Sequence, residues 1–198
     1  MIQHEINDKK NFISGWYTDE FQLCDDLMKF ARENEKRLPG RVNLPDGTQG
    51  VDLDIKNSID SKLEDSPDLM KRYFGVLQRC LIEYSKQYEH GIVQVSLGVL
   101  EGANIQLYPQ GGGFKPFHWE RSHSVYPQLN RYLVYMTYLN DITEGGETEF
   151  FYQGVKITPR KGLTLIWPSD WPFTHRGIPA MKEEKVIVTG WLSLVVRV

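Results

Sequence analysis

After His90-Gly91 the chain becomes a succession of short apolar runs broken by turn residues, and this limits its possible folds more than any other feature. Val93, Val95, Leu97 and Val99 alternate with other residues, and further runs occupy 104–108, 131–139, 147–151, 155–158, 162–167 and 185–195. Strand side chains alternate between faces, so such runs read as strands with one apolar face. Roughly seven or eight of them in series imply sheets that must be covered.

Two helices are expected before the strands. From Asp19 to Glu35, Phe21, Cys24, Leu27, Met28 and Ala31 recur at helical spacing, with Thr18 placed to cap the amino end. Ser66-Pro67-Asp68 opens a second helix, whose stripe of Leu69, Tyr73, Val76, Leu77, Cys80, Leu81 and Tyr84 suits packing on a sheet. Between them, Arg37 to Ser61 contains Pro39-Gly40, Pro45-Asp46-Gly47 and Gly50, too much turn chemistry for one long element. Such a segment is either a lid over a pocket or a surface excursion. Residues 1–17 read as an extended lead-in around Phe12-Ile13. The expected fold is mainly β, a double-stranded β-helix (jelly roll) buttressed by N-terminal helices. It forms one domain over 1–198, helical to about residue 90 and jelly roll from about 91.

A length of 198 residues with 40% hydrophobic content suits a single core, and a net charge of −3 offers no electrostatic footprint for nucleic acid. No apolar run reaches the length of a membrane span, and the first residues lack the charged and apolar regions of a signal peptide, so cytoplasmic residence is expected. Cys24 and Cys80 fall inside the helices as free buried thiols.

The chemistry concentrates at His118-Trp119-Glu120. On a strand, residues two apart point the same way, so His118 and Glu120 would present an imidazole and a carboxylate to one point. With His175 they would form a two-histidine, one-carboxylate facial triad, which leaves coordination positions open for Fe(II) and oxygen chemistry. Taken alone, His-x-Glu also suits a half-exposed strand end. Lys185, Thr189 and Trp191 share strand parity and therefore one face. Lys185 also reads as a solvated strand residue, and Tyr108 and Trp191 as core aromatics. Gly145-Gly146 reads as a turn with close backbone packing.

Taken together, Tyr108-Pro109, His118-x-Glu120, Tyr138-Leu139-Asn140, Gly145-Gly146-Glu147-Thr148-x-Phe150, His175, Lys185 and Trp191 resemble the Fe(II)/2-oxoglutarate dioxygenases of the prolyl 4-hydroxylase type. The likeness covers roughly 92–194, with a weaker echo around Cys24-Asp25-Asp26-Leu27. The family usually has Asp where this chain has Glu120, although related iron oxygenases use Glu. The resemblance implies Fe(II) held by His118, Glu120 and His175, and 2-oxoglutarate chelating the metal, with its distal carboxylate on Lys185. Tyr108 and Thr189 would add hydroxyl hydrogen bonds, and Trp191 would wall the site. It also implies consumption of O2, release of succinate and carbon dioxide, and ascorbate as reductant.

The favoured substrate is a prolyl residue of a peptide or protein, with free proline or another small molecule as the alternative. Trp119, Arg121, Tyr126, Arg131 and Trp171 are expected to face it from loops beside the ligands, and His123 is close enough to join them. A cupin metalloenzyme would need no Lys185, and a silent binding module would retain the barrel without metal. A nucleic-acid demethylase would be expected to carry paired arginines after the distal histidine. A halogenase would have a small residue at 120.

Overall fold

The computed structural model describes residues 1–8, 10–44, 48–122 and 124–196. The Pro45-Asp46-Gly47 turn and His123 lie outside the described residues. In chain order the strands and α-helices are β1 (Ile2–Gln3), β2 (Ser14–Tyr17), α1 (Phe21–Glu33), β3 (Leu38–Pro39), β4 (Val42–Asn43), β5 (Gln49–Gly50), β6 (Ile59–Lys62), α2 (Pro67–Gln87) and α3 (Glu89–Ile92). There follow β7 (Leu97–Gly98), β8 (Ala103–Tyr108), β9 (Arg131–Tyr138), β10 (Thr148–Phe150), β11 (Val155–Ile157), β12 (Leu163–Pro168), β13 (His175–Gly177) and β14 (Lys185–Leu194). The chain is mostly β with a few helices.

A large antiparallel sheet runs β1-β2-β12-β9-β14-β8-β6-β3, and a small one runs β11-β10-β13. Strand parity then makes three layers. Leu133 and Tyr135 of β9, with Val186, Val188 and Leu192 of β14, pack with Leu23, Cys24 and Leu27 of α1 and with Tyr73, Val76 and Leu77 of α2. The intervening residues Val134, Met136, Tyr138 and Ile187 join Phe150 and Ile157 of the small sheet, along with Leu165 and Trp167. The alternation is the pleat itself: one face meets helices, the other the small sheet. The stripe expected on α2 is buried apart from Leu81, which is partly buried. Among the described residues, no helix is long and apolar enough to cross a membrane.

Two expectations fail locally. The alternating run at 93–99 does not form one strand, because Val93 caps α3 and strand pairing within the run falls on Leu97–Gly98, opposite Ser193 and Leu194 of β14. That edge of β14 is taken by β8 as far as Gly190 and the strand ends at Leu194, so little of it is left to pair. Thr18 does not cap α1. Its N–H and hydroxyl both donate to the Gly162 carbonyl, prolonging the β2–β12 contact, while Glu20 occupies the cap position without a side-chain capping bond. Ser66 does precede Pro67 at the cap of α2, again without a side-chain bond.

The 37–61 segment consists of short pieces, as its turn residues imply. Its far end is tied down: β6 pairs with β8, Lys115 N–H donates to the Ile55 carbonyl at 3.0 Å, and Asn57 N–H donates to Gly113 at 3.0 Å. Among the described residues, the β4–β5 hairpin carries no pairing to the larger sheets.

Candidate metal centre and its cavity

His118 and Glu120 do not lie on a strand. His118 makes an isolated bridge with His175, with N–H to carbonyl distances of 2.9 Å in both directions, and Glu120 sits in the turn that follows. Pro116 has no N–H to offer, so the run from Phe114 cannot extend a regular ladder and, among the described residues, shares backbone hydrogen bonds with β13 at Phe114 and His118. The two side chains converge nonetheless. Arg121 pins the turn, donating its backbone N–H to Ser169 and a two-pronged guanidinium to Asp170 at 2.9 and 2.8 Å.

Each imidazole is oriented by its own backbone. His118 Nδ1 donates to the Pro116 carbonyl at 3.0 Å and His175 Nδ1 to that of Phe173 at 2.8 Å, leaving both Nε2 atoms as lone-pair ligands. Those atoms lie 3.7 and 3.5 Å from the same oxygen, Oε1 of Glu120. The three ligand atoms fall within 4.8 Å of one another. Ligands at right angles on a first-row metal, with bonds of about 2.1 Å, lie about 3 Å apart, so a small contraction completes the site. The other oxygen, Oε2, accepts the Trp191 indole N–H at 2.9 Å. Phe114 stacks on His118 at 3.9 Å, and Trp167 meets His175 edge-on at 5.2 Å.

The electrostatics suit a metal. Burial pushes the Glu120 carboxyl up, but the neighbouring His118 and His175 outweigh it and hold the group well below the usual carboxylate range. Burial, with His118 alongside, pushes His175 down and favours the neutral imidazole a metal needs, against an upward pull from Glu120.

These residues line a cavity of about 480 Å³. Lys185 reaches it from β14, 3% exposed, with Nζ donating to the Gly146 carbonyl at 3.0 Å and no carboxylate within ion-pair distance among the described residues. Burial lowers its pKa to about 8 against a modest opposing effect of Glu147. The Gly145-Gly146 turn is as expected: both residues have φ of +74°, and a Cβ on Gly145 would stand 2.5 Å from the Pro179 carbonyl oxygen. Tyr108, Thr189 and Trp191 also line the cavity. The Tyr108 hydroxyl donates to Gln106 at 2.7 Å, and that of Thr189 to the Tyr135 carbonyl at 3.1 Å.

The expected rim divides. Trp119 and Arg131 line the cavity; Arg121, Tyr126 and Trp171 do not, and Tyr126 and Trp171 are largely exposed. Arg131 is not on a loop but opens β9, held by Glu101. Unforeseen wall residues include Arg41, Lys56, Gln106, Phe114, Thr148 and Arg176. Strand parity with Tyr108 would have found Gln106; nothing local would have brought Arg41 or Lys56 to the site.

Residues 103–193 match the family model of the 2OG-Fe(II) oxygenase superfamily. Half of this chain is 25% identical, over 112 residues, to prolyl 4-hydroxylase subunit alpha-1 of Gallus gallus, of which it spans only 22%. In fold it resembles a Pseudomonas putida prolyl-4-hydroxylase, with a TM-score of 0.70 over 92% of both chains at 18% identity. A Trichoplax adhaerens prolyl hydroxylase, solved with a hypoxia inducible factor peptide fragment, gives 0.70 over 92% of this chain and 84% of that one at 16% identity. A matched sequence segment that contains the whole ligand cluster, set within a shared fold, makes this chain similar to the 2OG-Fe(II) oxygenase superfamily.

Proposed function

We propose that the protein is an Fe(II)- and 2-oxoglutarate-dependent hydroxylase acting on a prolyl residue of a peptide or protein. The observation that carries this reading is the pairing, in one cavity, of three convergent ligand atoms with a buried lysine that lacks a carboxylate partner among the described residues. A buried ammonium is costly unless its charge is met, and the distal carboxylate of 2-oxoglutarate meets it. His118, Glu120 and His175 hold Fe(II). When bound, the metal with 2-oxoglutarate and O2 supplies the oxidising power, and succinate and carbon dioxide leave; ascorbate is the reductant we assign.

The chain's own residues then bind and exclude. Lys185 orients the cosubstrate, and the Tyr108 and Thr189 hydroxyls turn from Gln106 and the Tyr135 carbonyl to add hydrogen bonds to it. Trp191 closes the wall beside Glu120. Trp119, half-exposed at the mouth, is the contact we favour for the substrate, while Arg121, Tyr126, Arg131 and Trp171 belong to its surroundings. The peptide held by the Trichoplax enzyme supports a peptidyl substrate over free proline.

We read the two sheets as a double-stranded β-helix and residues 1–198 as one domain, since both long helices pack into one core with the large sheet. The buried free thiols of Cys24 and Cys80 suit the reducing cytoplasm. The test is mass spectrometry of proline-containing peptides incubated with protein, Fe(II), 2-oxoglutarate and ascorbate. Gain of one oxygen on proline, dependent on 2-oxoglutarate, supports the assignment. Succinate formation with no modified peptide from a broad proline library would reject the peptidyl substrate.

A further inference from the structure

We propose that Glu101, acting through Arg131, is a positioning residue that keeps the carboxylate of Glu120 presented to the metal. This rests on the metal assignment above. Arg131 opens β9, and its guanidinium is gripped two-pronged by Glu101 at 2.7 Å (Nε to Oε2) and 2.6 Å (Nη2 to Oε1). The third nitrogen, Nη1, donates to the backbone carbonyl of Glu120 at 2.7 Å and stands 3.5 Å from its Oε2. The guanidinium carbon lies 3.5 Å from the centroid of the Trp191 ring, whose N–H holds that same Oε2. Arg131 and Glu101 side chains are 11% and 12% exposed, so the unit is shielded from water.

Two physical arguments give Glu101 its role. Glutamate has one more rotatable bond than aspartate, so a Glu ligand needs more outside constraint to keep one oxygen at the histidines. Arg131 and Trp191 supply it by fixing the Glu120 backbone and Oε2. The second argument is charge. Among the described residues the ion-pair partners of Arg131 are Glu101 and Glu120. Without Glu101 the guanidinium would turn to the remaining carboxylate, competing with the metal for Oε1 and leaving a positive charge beside a cation site. Glu101 neutralises Arg131 and leaves it as a brace.

The test uses Co(II), whose visible bands report ligand geometry, on the full chain. Glu101→Gln should weaken Co(II) binding about 10–100-fold, the usual effect of losing a partner behind a metal ligand, and alter the bands. The substitution also strands a buried arginine, so the apo-protein will lose stability. The double variant Glu101→Gln/Arg131→Met separates the effects: removing both charges should return the apo thermal midpoint toward wild type while Co(II) binding stays weak. Two results would overturn the role: wild-type affinity and bands in Glu101→Gln, or recovery of tight Co(II) binding along with stability in the double variant. If wild type itself bound no Co(II), the metal reading would fall first, and this role with it.

Discussion

The backbones of His118 and His175 are hydrogen-bonded to each other in both directions at 2.9 Å, so two ligands 57 positions apart in the chain are held by main-chain atoms rather than by the metal. Removing either imidazole therefore leaves this bridge intact. His118→Ala and His175→Ala should each abolish the visible band of an anaerobic Fe(II)–2-oxoglutarate complex. Circular dichroism should show a folded chain in both.

Trp191→Phe keeps an aromatic wall but removes the N–H that holds Oε2 of Glu120. A buried acceptor beside the ligand loses its partner, and Fe(II) affinity should fall about tenfold, the lower end for such losses. Calorimetric titration with Fe(II) under anaerobic conditions checks this; an unchanged affinity would mean that Arg131 alone suffices.

Lys185→Ala should leave Fe(II) binding largely intact and weaken 2-oxoglutarate by roughly two to three powers of ten, since breaking a buried charge pair costs about 3–5 kcal/mol. Lys185→Arg should do less harm, because charge is kept while length and shape change. Titration of both variants with metal and cosubstrate distinguishes a cosubstrate anchor from an ordinary strand lysine.

A pH dependence follows from the same residue. Burial lowers the Lys185 pKa to about 8, so below that pH it is an ammonium and above it a neutral amine. Only the ammonium pairs with a carboxylate. Affinity for 2-oxoglutarate should be nearly level below about pH 7 and fall by about tenfold per unit above 8, with proton uptake on binding near pH 8. Calorimetry in buffers of different ionisation enthalpy reads that uptake directly, and absence of uptake would detach Lys185 from the cosubstrate.

Closure over the cavity is expected of the β4–β5 hairpin rather than of the whole of 37–61. Val42 and Gln49 reach the cavity from that hairpin, whereas Ile59–Lys62 is built into the large sheet. On adding substrate to the metal and cosubstrate complex, hydrogen exchange should slow at 41–44 and 48–50 and stay unchanged at 59–62. Uniform behaviour across both would make the segment a fixed wall.

Where side-chain parity and strand pairing agree, the sequence could be read directly. Lys185, Thr189 and Trp191 share a face because β14 is regular through that stretch, and the α2 stripe is buried because it follows helical geometry over the sheet. The exceptions have local causes. His118 and Glu120 converge through a turn held by Arg121 and Asp170, which no period-two pattern describes. Val93–Val99 alternates without a free edge to pair with. Arg131 reads as a rim residue because its partner, Glu101, lies 30 positions away and outside any strand, so no local pattern links the two.

The coupling of residues 55–57 to 113–115 bears on any attempt to transplant the centre. Residues 103–193 hold every ligand, but the backbone leading into His118 is braced by Ile55 and Asn57, and the cavity takes Arg41 and Lys56 from the same early segment. A fragment starting after α3 would also bare Leu133, Tyr135, Ile166, Val186 and Val188, the sheet face that α1 and α2 cover. The matched region is therefore not a portable cassette: a graft or truncation at residue 91 would carry the ligands without the scaffold that aims them.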